Sequence, residues 1–243
     1  MNLFLILTLL FFTGSVMGWI LEFFFRRIIS PEKKWINPGF LTGPYLPIYG
    51  FGICTLFLLS SIEQYLPFYG SVYGKIILFV VMTLAMTLIE YVAGMIFVVG
   101  LKTKLWDYSN DRFNIKGIIC LKYSLCWGLL GIFYYYMLHP AFSALISWYK
   151  ANLTFSFILG IFFGVFVIDV VFSFNVIAKI RKFAVENNIL VRYEELKLHI
   201  RSAAARPRRF KRFIFTFHPD IPLKEHLNKY MEFINSKRLK KQK

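Results

Sequence analysis

Residues 76–101, IILFVVMTLAMTLIEYVAGMIFVVGL, decide the class of this protein. The segment exceeds the ~20 apolar residues that an α-helix needs to cross the ~30 Å hydrocarbon core of a bilayer. Its single charged residue is Glu90, and similar apolar runs at 3–25 and 153–178 enclose Glu22 and Asp169. A carboxylate in hydrocarbon is costly, so such residues usually face a protein interior or a water-filled cavity. Three of them predict a polar pocket inside a helix bundle.

The composition agrees with a membrane protein. Hydrophobic residues make up 57% and aromatic residues 19% of the 243 residues, which is far too apolar for a soluble domain. Two further apolar runs at about 44–62 and 118–138 complete an all-α polytopic fold with five transmembrane helices. The first run ends in Arg26 and Arg27 instead of a small-residue cleavage site, so we expect a retained helix and not a signal peptide.

The distribution of Lys and Arg predicts the orientation. The loops after the first and third spans contain four basic residues each, whereas the loops after the second and fourth contain one each. Cytoplasmic loops collect basic residues, so the N-terminus is predicted outside and the C-terminus inside the cell. Residues 179–243 contribute +12 of the net charge of +16, from 18 basic and 6 acidic residues. The chain thus divides into a bundle, 1–178, and a helical, basic cytoplasmic tail, 179–243.

The three acidic residues are candidates for a substrate or ion pocket, for different reasons. Glu90 and Asp169 lie 12 and 10 residues before the next lysine, which places both deep in their spans. The alternative for both is a structural pair with a loop or first-span cation. Glu22 is four residues before Arg26, so an i,i+4 ion pair at the interface is its alternative role.

The entry to the second span is unlike an ordinary helix start. Residues 37–52 read NPGFLTGPYLPIYGFG, with three prolines and four glycines. Proline removes a backbone donor and glycine permits unusual dihedral angles, so a regular helix should not begin here. The stretch is either a broken, re-entrant entry that protein buries or a turn outside the bilayer. On the first interpretation, the pocket entrance is formed by Asn37, Pro38, Gly39, Gly43 and Pro44.

A motif near the entrance recurs further along the chain. Residues 39–50 and 117–128 both fit G-x5-Y-x3-[YW]-G, and each copy follows a glutamate-bearing helix and a basic loop with a Trp and an Asn. This pattern predicts a parallel repeat of two helix pairs, with the fifth span appended, as found in some transporters. Chance recurrence in a Gly-rich and aromatic sequence is the alternative.

The fifth span has two different faces. Gly160 and Gly164 lie one turn apart, whereas Asp169 and Ser173 project from roughly the opposite side. Small residues let helices approach closely. We therefore expect the glycine face to pack and the other face to serve the pocket.

Several uncommon motifs occur together in the first 135 residues. They are Gly18-Trp19-x-x-Glu22, the run 37–52, Glu90-Tyr91-x-x-Gly94, LWDYS at 105–109 and FNIKGIIC at 113–120. In this order they resemble the CmpB-like family of bacterial type IV ABC-transporter permeases, over roughly residues 14–135. The resemblance implies a multi-pass protein of the bacterial inner membrane with a role in transport.

The resemblance raises the question of where ATP is hydrolysed. The segment GSVYGK at 70–75 is too short for a phosphate-binding loop and continues into Ile76. A transport system would therefore need a separate ATPase subunit. Candidate contacts are in the loop after the third span, at Trp106, Asp107, Tyr108 and Asn114. The alternative is an interfacial loop with Trp106 and Tyr108 at headgroup level.

Enzymatic chemistry is not expected. The four histidines have no i+4 ligand partner, so no metal site or cofactor is predicted.

The tail segment 206–217, RPRRFKRFIFTF, interleaves basic residues with Phe and is predicted to lie on an anionic lipid surface. Nucleic acid is a weaker candidate because no recognition-fold signature accompanies these residues. A rival function is a non-transporting membrane regulator or scaffold that recruits partners through this tail. The substrate and oligomeric state are left open.

Overall fold

The computed structural model describes residues 2–28, 35–65, 68–203 and 223–241. Nearly all of the secondary structure is helical. The helices are α1 Leu3–Ile28, α2 Pro47–Ser61, α3 Val72–Met95, α4 Leu121–Phe133, α5 His139–Ala151, α6 Ser156–Glu186, α7 Tyr193–Ala203 and α8 Leu223–Lys241. The π-helical turns Ile96–Gly100 and Tyr134–Leu138 follow α3 and α4.

Four helical segments are long and apolar enough to cross a membrane. They are Leu3–Ile28, Val72–Gly100, Leu121–Ala151 and Leu153–Glu186. Where the sequence predicted the second of five spans, α2 has 15 residues, or about 22 Å, which is less than the hydrocarbon thickness. Among the described residues there are therefore four helical segments of spanning length and one shorter apolar helix. The predicted boundary between bundle and tail at 178/179 falls inside α6, which continues without a break.

Local sequence explains where α2 begins. Pro47 occupies its first turn, where a missing backbone N–H costs nothing. The preceding residues, 35–46, form no helix or strand. We call this segment the entrance loop. Because its backbone is not helical, contacts from other parts of the chain must stabilise it.

Small residues bring the helices of each pair together. A Cβ atom on Gly14 would lie 2.7 Å from Ile53 Cγ1, and one on Gly18 would overlap the Tyr49 ring, so α1 and α2 touch at these glycines. In the next pair, a Cβ on Gly128 of α4 would lie 2.8 Å from Thr83 Oγ1 of α3. These glycine and threonine residues therefore lie at helix contacts, as small residues do in other membrane bundles.

Two apolar clusters hold the chain together. The first lies between α1, α2, α3, α4 and α5, with Leu10, Leu56, Leu78, Met82, Met86, Trp127, Tyr134, Phe142 and Ile146 among its buried members. The second joins the end of α6 to α7 and α8, and contains Phe97, Ile177, Ile180, Phe183, Leu196, Ile200, Leu227 and Tyr230. The tail therefore shares a core with the last span.

Helix α6 packs through aromatic rings and not through its glycines. Phe162 and Phe166 make edge contacts with Phe12, at ring-centroid distances of 4.6 and 5.5 Å. Around Gly160 and Gly164 a Cβ would meet nothing within 4 Å. The prediction that the glycine face packs is wrong within the described chain, because phenylalanines on another face of α6 supply the contact.

Short strands connect the loops with the tail. Strand β1, Thr103–Lys104, pairs in parallel with β4, Val191–Arg192. Strands β2, Asn114–Ile115, and β3, Ile119–Cys120, form an antiparallel hairpin. The loop after α3 and the start of α7 therefore lie at the same end of the bundle, which we call the tail end.

The contact of Gly50 with α1 leads to a stability prediction. A Cβ at Gly50 would overlap Ser15 Oγ and lie 2.5 Å from the backbone oxygen of Phe11. Because backbone cannot move aside cheaply, we expect Gly50→Ala to destabilise the protein by about 1–3 kcal/mol. Thermal denaturation of the detergent-solubilised protein measures the effect. The matched control is Gly164→Ala, which adds the same methyl group in open space and should leave the melting temperature unchanged or higher. Equal losses in both variants would contradict the packing.

Candidate functional site

The carboxylate of Asp169 is bound by the entrance loop. Oδ2 accepts hydrogen bonds from the backbone N–H groups of Thr42 and Gly43, at 3.0 and 2.8 Å, and from the Tyr45 hydroxyl at 2.7 Å. Oδ1 accepts from Ser173 Oγ at 3.0 Å and from Thr42 N at 3.1 Å. Four groups therefore satisfy this carboxylate, and it in turn satisfies backbone donors that no helix uses.

A second set of bonds fixes the other half of the entrance loop. The Trp19 indole donates from Nε1 to Asn37 Oδ1 at 2.6 Å, and Asn37 Nδ2 donates to the carbonyl oxygens of Leu41 and Thr42, at 3.3 and 2.9 Å. Gly39 has φ +74°, a left-handed conformation that favours glycine. Of the predicted entrance residues, Asn37 and Pro38 are buried, Gly39 and Gly43 are half-buried, and Pro44 is exposed. The structure thus brings the predicted entrance to Asp169.

Glu90 lies elsewhere and has fewer partners. Its side chain is 3% exposed. Oε1 accepts from the Tyr108 hydroxyl and Oε2 from the Trp127 indole Nε1, each at 3.0 Å. Both donors are neutral, and no Lys or Arg forms an ion pair with Glu90 in the part of the chain that the structure describes. A buried carboxylate without a counter-ion is unfavourable unless it takes up a proton or a cation.

Glu22 makes the predicted ion pair and one contact more. Arg26 Nε donates to Glu22 Oε1 at 2.9 Å, as the i,i+4 spacing predicts. The Tyr49 hydroxyl donates to Glu22 Oε2 at 3.1 Å. Arg26 also pairs with Glu194 of α7. Glu22 therefore links α1 to α2, beyond the ion pair within its own helix.

Two aromatic rings connect Glu22 with Glu90. The rings of Tyr49 and Trp127, which bind the two glutamates, have centroids 5.4 Å apart. In both cases an aromatic residue of the following apolar helix donates to a glutamate of the preceding one. We call Glu22, Tyr49, Trp127 and Glu90 the glutamate site.

Several side chains of the 101–120 loop make hydrogen bonds within the protein. Trp106 Nε1 donates to the carbonyl oxygen of Ile118 at 2.8 Å, and Tyr108 reaches Glu90. Burial, with the nearby Glu90 charge, raises the pKa of Tyr108, so its phenol remains a donor. Asn114 Oδ1 accepts from Gly117 N at 3.1 Å within the β2–β3 hairpin. Internal acceptors therefore hold Trp106 and Tyr108, and the headgroup-level position of these two side chains stays a prediction.

Asp107 connects the same loop to the tail. Its carboxylate accepts from Lys104 Nζ at 2.9 Å and pairs with Arg192 of β4 at 3.0 Å. Burial alone would raise the pKa of Asp107, but hydrogen bonds from Ser109 and Lys104 outweigh it and hold that pKa below its usual value. Asp107 is therefore charged near neutral pH and serves as a structural tie.

Sequence reasoning missed several residues that complete these contacts. Tyr45 and Tyr49 were noted only as parts of a recurring motif, and the same motif contained Trp127. Lys197, treated as one of many tail charges, is 5% exposed and donates from Nζ to the carbonyl oxygens of Asn37 and Gly39, at 3.0 and 2.5 Å. The motif could have signalled the aromatic donors. Nothing in the local sequence distinguishes Lys197 from its neighbours.

Within the described ranges, no group of three or more His, Cys, Asp or Glu side chains is placed to hold a metal ion. The chemistry available to the glutamate site is therefore that of carboxylates, a phenol and an indole: exchange of a proton, or binding of a cation or a polar group.

The helices and the buried acidic residues define a multi-pass membrane protein. The family model described as "Putative ABC-transporter type IV" matches residues 9–174, which is more than half of the chain. The chain belongs to this family. No curated protein and no solved structure matches it. The match includes most of α1, all of α2 to α5, most of α6, and the three acidic residues Glu22, Glu90 and Asp169.

The bonding of Asp169 leads to a prediction about the entrance loop. In Asp169→Asn one carboxylate oxygen becomes an amide N–H₂ group, which cannot accept from Thr42 or Gly43. Hydrogen exchange of the 40–46 amides should accelerate by about tenfold or more, since each orphaned buried donor costs about 1–3 kcal/mol. Mass spectrometry of the full chain in nanodiscs measures it. The control Ser173→Ala removes one donor of four and should change exchange much less, so similar acceleration in both variants would argue against the assigned role.

Proposed function

We propose that this protein is the permease-like component of a transport system in a bacterial cell membrane. The observation that carries the proposal is Glu90, a buried carboxylate with two neutral donors and no counter-ion among the described residues. Ionisable groups of this kind inside membrane helices usually belong to substrate or ion pathways. The substrate or ion site would be Glu90 with Glu22, and the protein itself would catalyse no chemical reaction.

Asp169 has a different role in this proposal. Its four bonded groups leave little capacity for a ligand, and two backbone N–H donors favour its charged form. It would therefore hold the entrance loop, while Glu90 takes up a proton, a cation or a positively charged part of a substrate. The sequence-based assignment of Asp169 to the pocket itself stays a prediction.

The orientation proposed from the basic loops has support in the contacts at the tail end. Arg26 at the end of α1 pairs with Glu194, and Asp107 of the 101–120 loop pairs with Arg192, so both basic loops meet the tail. Their common side agrees with a tail end that faces the cytoplasm and an N-terminus outside. The lipid-binding segment 206–217 lies outside the described residues and remains part of the proposal on sequence grounds.

The recurring motif extends into matched contacts, which support a parallel repeat. Gly39 and Gly117 both have positive φ, at 74° and 66°. The bond from Tyr49 to Glu22 corresponds to the bond from Trp127 to Glu90. In a repeat of α1–α2 and α3–α4 the glutamate site would lie where the two copies meet, which is where transporters built from repeats bind their substrates.

The glutamate site can be tested without knowing the substrate. If Glu90 exchanges a proton, the wild type should show the titration of a buried carboxyl in infrared difference spectra; if it binds a cation, monovalent cations should stabilise the wild type. We expect Glu90→Gln, which keeps the shape and one acceptor oxygen, to abolish that signal. The matched control is Glu63→Gln, since Glu63 also accepts from a tyrosine hydroxyl, that of Tyr135 at 2.7 Å, outside the glutamate site. Loss of neither signal in Glu90→Gln would rule out Glu90 as the exchanging group.

An ATPase subunit would have to bind at the tail end. The 101–120 loop presents Phe113, which is 79% exposed, whereas its predicted contact residues are half-buried and bonded within the protein. We expect an ATPase to copurify with the tagged full chain in mild detergent and to be lost in Phe113→Ser. Tyr65→Ser is the control, because Tyr65 is equally exposed but follows α2. A wild-type chain that retains soluble partners but no ATPase would favour the alternative function, a regulator or scaffold.

A further inference from the structure

Glu22 is a half-buried carboxylate with a counter-ion. Arg26 Nε donates to Oε1 at 2.9 Å, and the Tyr49 hydroxyl donates to Oε2 at 3.1 Å. One of these donors carries a full positive charge and the other is neutral. A carboxylate in low-dielectric surroundings is stable as an anion when it has such a partner. Glu22 therefore shows how this bundle accommodates a charged glutamate.

Glu90 has the same number of donors but lacks the charge. Oε1 accepts from the Tyr108 hydroxyl and Oε2 from the Trp127 indole, each at 3.0 Å. The position four residues after it, where the first glutamate has its arginine, is Gly94. A Cβ atom on Gly94 would overlap the side chain of Ile118. The packing thus leaves no room for a counter-ion one turn further along α3.

The ionisable groups around Glu90 do not compensate it either. Among the described residues, those linked to it directly or through its aromatic partners lie on α1, α2, α4 and the 101–120 loop: Glu22, Arg26, Tyr49, Tyr108 and Tyr123. Arg26 is the cation of this set, and it is shared between Glu22 and Glu194. Its charge is therefore already used.

The two donors to Glu90 differ in whether they can also accept a hydrogen bond. An indole N–H only donates, whereas a phenol hydroxyl donates or accepts. Oε2, opposite Trp127, is therefore fixed as an acceptor, which is the role of the C=O oxygen in a neutral carboxylic acid. Oε1, opposite Tyr108, can accept as a carboxylate oxygen or donate as a protonated one. The same arrangement consequently fits both the anionic and the neutral form of Glu90.

A metal cation fits these surroundings less well. Hard cations such as Mg²⁺ and Ca²⁺ take about six or more oxygen ligands. Trp127 presents the hydrogen of an N–H group and offers no lone pair. No group of three or more His, Cys, Asp or Glu side chains is assembled for a metal ion within the described parts of the chain. The donors around Glu90 therefore favour the smallest ligand.

We infer that the ligand of Glu90 is a proton, and that Trp127 and Tyr108 select it. The inference rests on the proposed function and names the ligand of the same site. In the neutral state Oε1–H donates to the Tyr108 oxygen. On release the Oε1–H bond breaks, its electron pair stays on the carboxylate, the proton passes to water, and the Tyr108 hydroxyl becomes the donor. Trp127 donates to Oε2 in both states.

Infrared spectroscopy of the full chain in nanodiscs tests the inference, because a neutral carboxylic acid and a carboxylate absorb at different frequencies. The difference between wild type and Glu90→Gln isolates the C=O band of neutral Glu90. We expect this band near neutral pH, a shift of it in heavy water, and its replacement by carboxylate bands as the pH rises. The control Glu63→Gln removes another carboxylate that accepts from a tyrosine, and should leave the Glu90 band in place.

Variants of the two donors separate their roles. In Trp127→Phe the C=O group loses its donor, so the band should remain but move to higher frequency. In Tyr108→Phe the neutral band should also remain, since a phenyl ring stabilises no charge. Tyr108→Arg would place a cation on Oε1, as Arg26 does for Glu22, so the neutral band should disappear near neutral pH. Size-exclusion chromatography checks that each variant is intact, and the wild type with Trp127→Phe decides the question if Tyr108→Arg does not fold.

A salt series distinguishes a proton from a cation at the same carboxylate. The melting temperature is measured in lithium, sodium, potassium and choline chloride at equal ionic strength, for wild type and Glu90→Gln. We expect no difference among the four salts in either protein. Stabilisation of the wild type by one cation, lost in Glu90→Gln, would overturn the inference but leave the proposed function, because Glu90 would still hold an ion.

Other results would count against the inference in different ways. If the wild type shows neither a neutral Glu90 band nor a cation effect, both the inference and the proposed function fail. The same holds for a neutral band that does not respond to pH, since Glu90 would then be a fixed structural acid. A folded Tyr108→Arg protein that keeps the neutral band would contradict the selection of the proton by Tyr108.

Discussion

The bonding of Asp169 to the entrance loop is the interaction on which the architecture at the tail end depends. A membrane protein must satisfy its backbone polar groups internally, and the usual solution is a continuous helix. Residues 35–46 form no helix, and the Asp169 carboxylate of α6 accepts hydrogen bonds that helical carbonyl oxygens would otherwise accept. Helix α2 is short as a result, because it begins only at Pro47, where the entrance loop ends.

The buried carboxylates show how similar residues acquire different roles. Asp169 accepts from four groups, including two backbone amides, and so is stabilised as an anion. Glu90 accepts from a phenol and an indole only. Burial does not distinguish them, at 3% and 9% exposed, but the number and kind of donors do. In the proposed function, Glu90, which has fewer partners, is the group that exchanges a ligand.

Sequence reasoning succeeded where a property is carried by composition or spacing. The apolar runs predicted the membrane class, and the Glu22–Arg26 spacing predicted an ion pair that the structure contains. Hydrophobicity did not fix the bounds of α2, because apolar residues such as Phe40, Leu41 and Leu46 occur within the Pro/Gly stretch that precedes it. The open face at Gly160 and Gly164 was missed for a related reason: small residues permit a close contact without requiring one. The role of Lys197 could not be predicted from the sequence, because its burial depends on a contact with the entrance loop, 158 residues away.

The bond between Thr42 and Asp169 also constrains how the protein is made, since 127 residues separate its two ends. At ordinary rates of synthesis, about 5–20 residues per second, α6 follows the entrance loop by roughly 6 to 25 seconds. During that interval α1 and α2 are already available for insertion while the loop amides lack their acceptor. Until α6 has been synthesised, the N-terminal helix pair must therefore remain incompletely folded. During this time the polar backbone of the entrance loop must stay in contact with water or the insertion machinery.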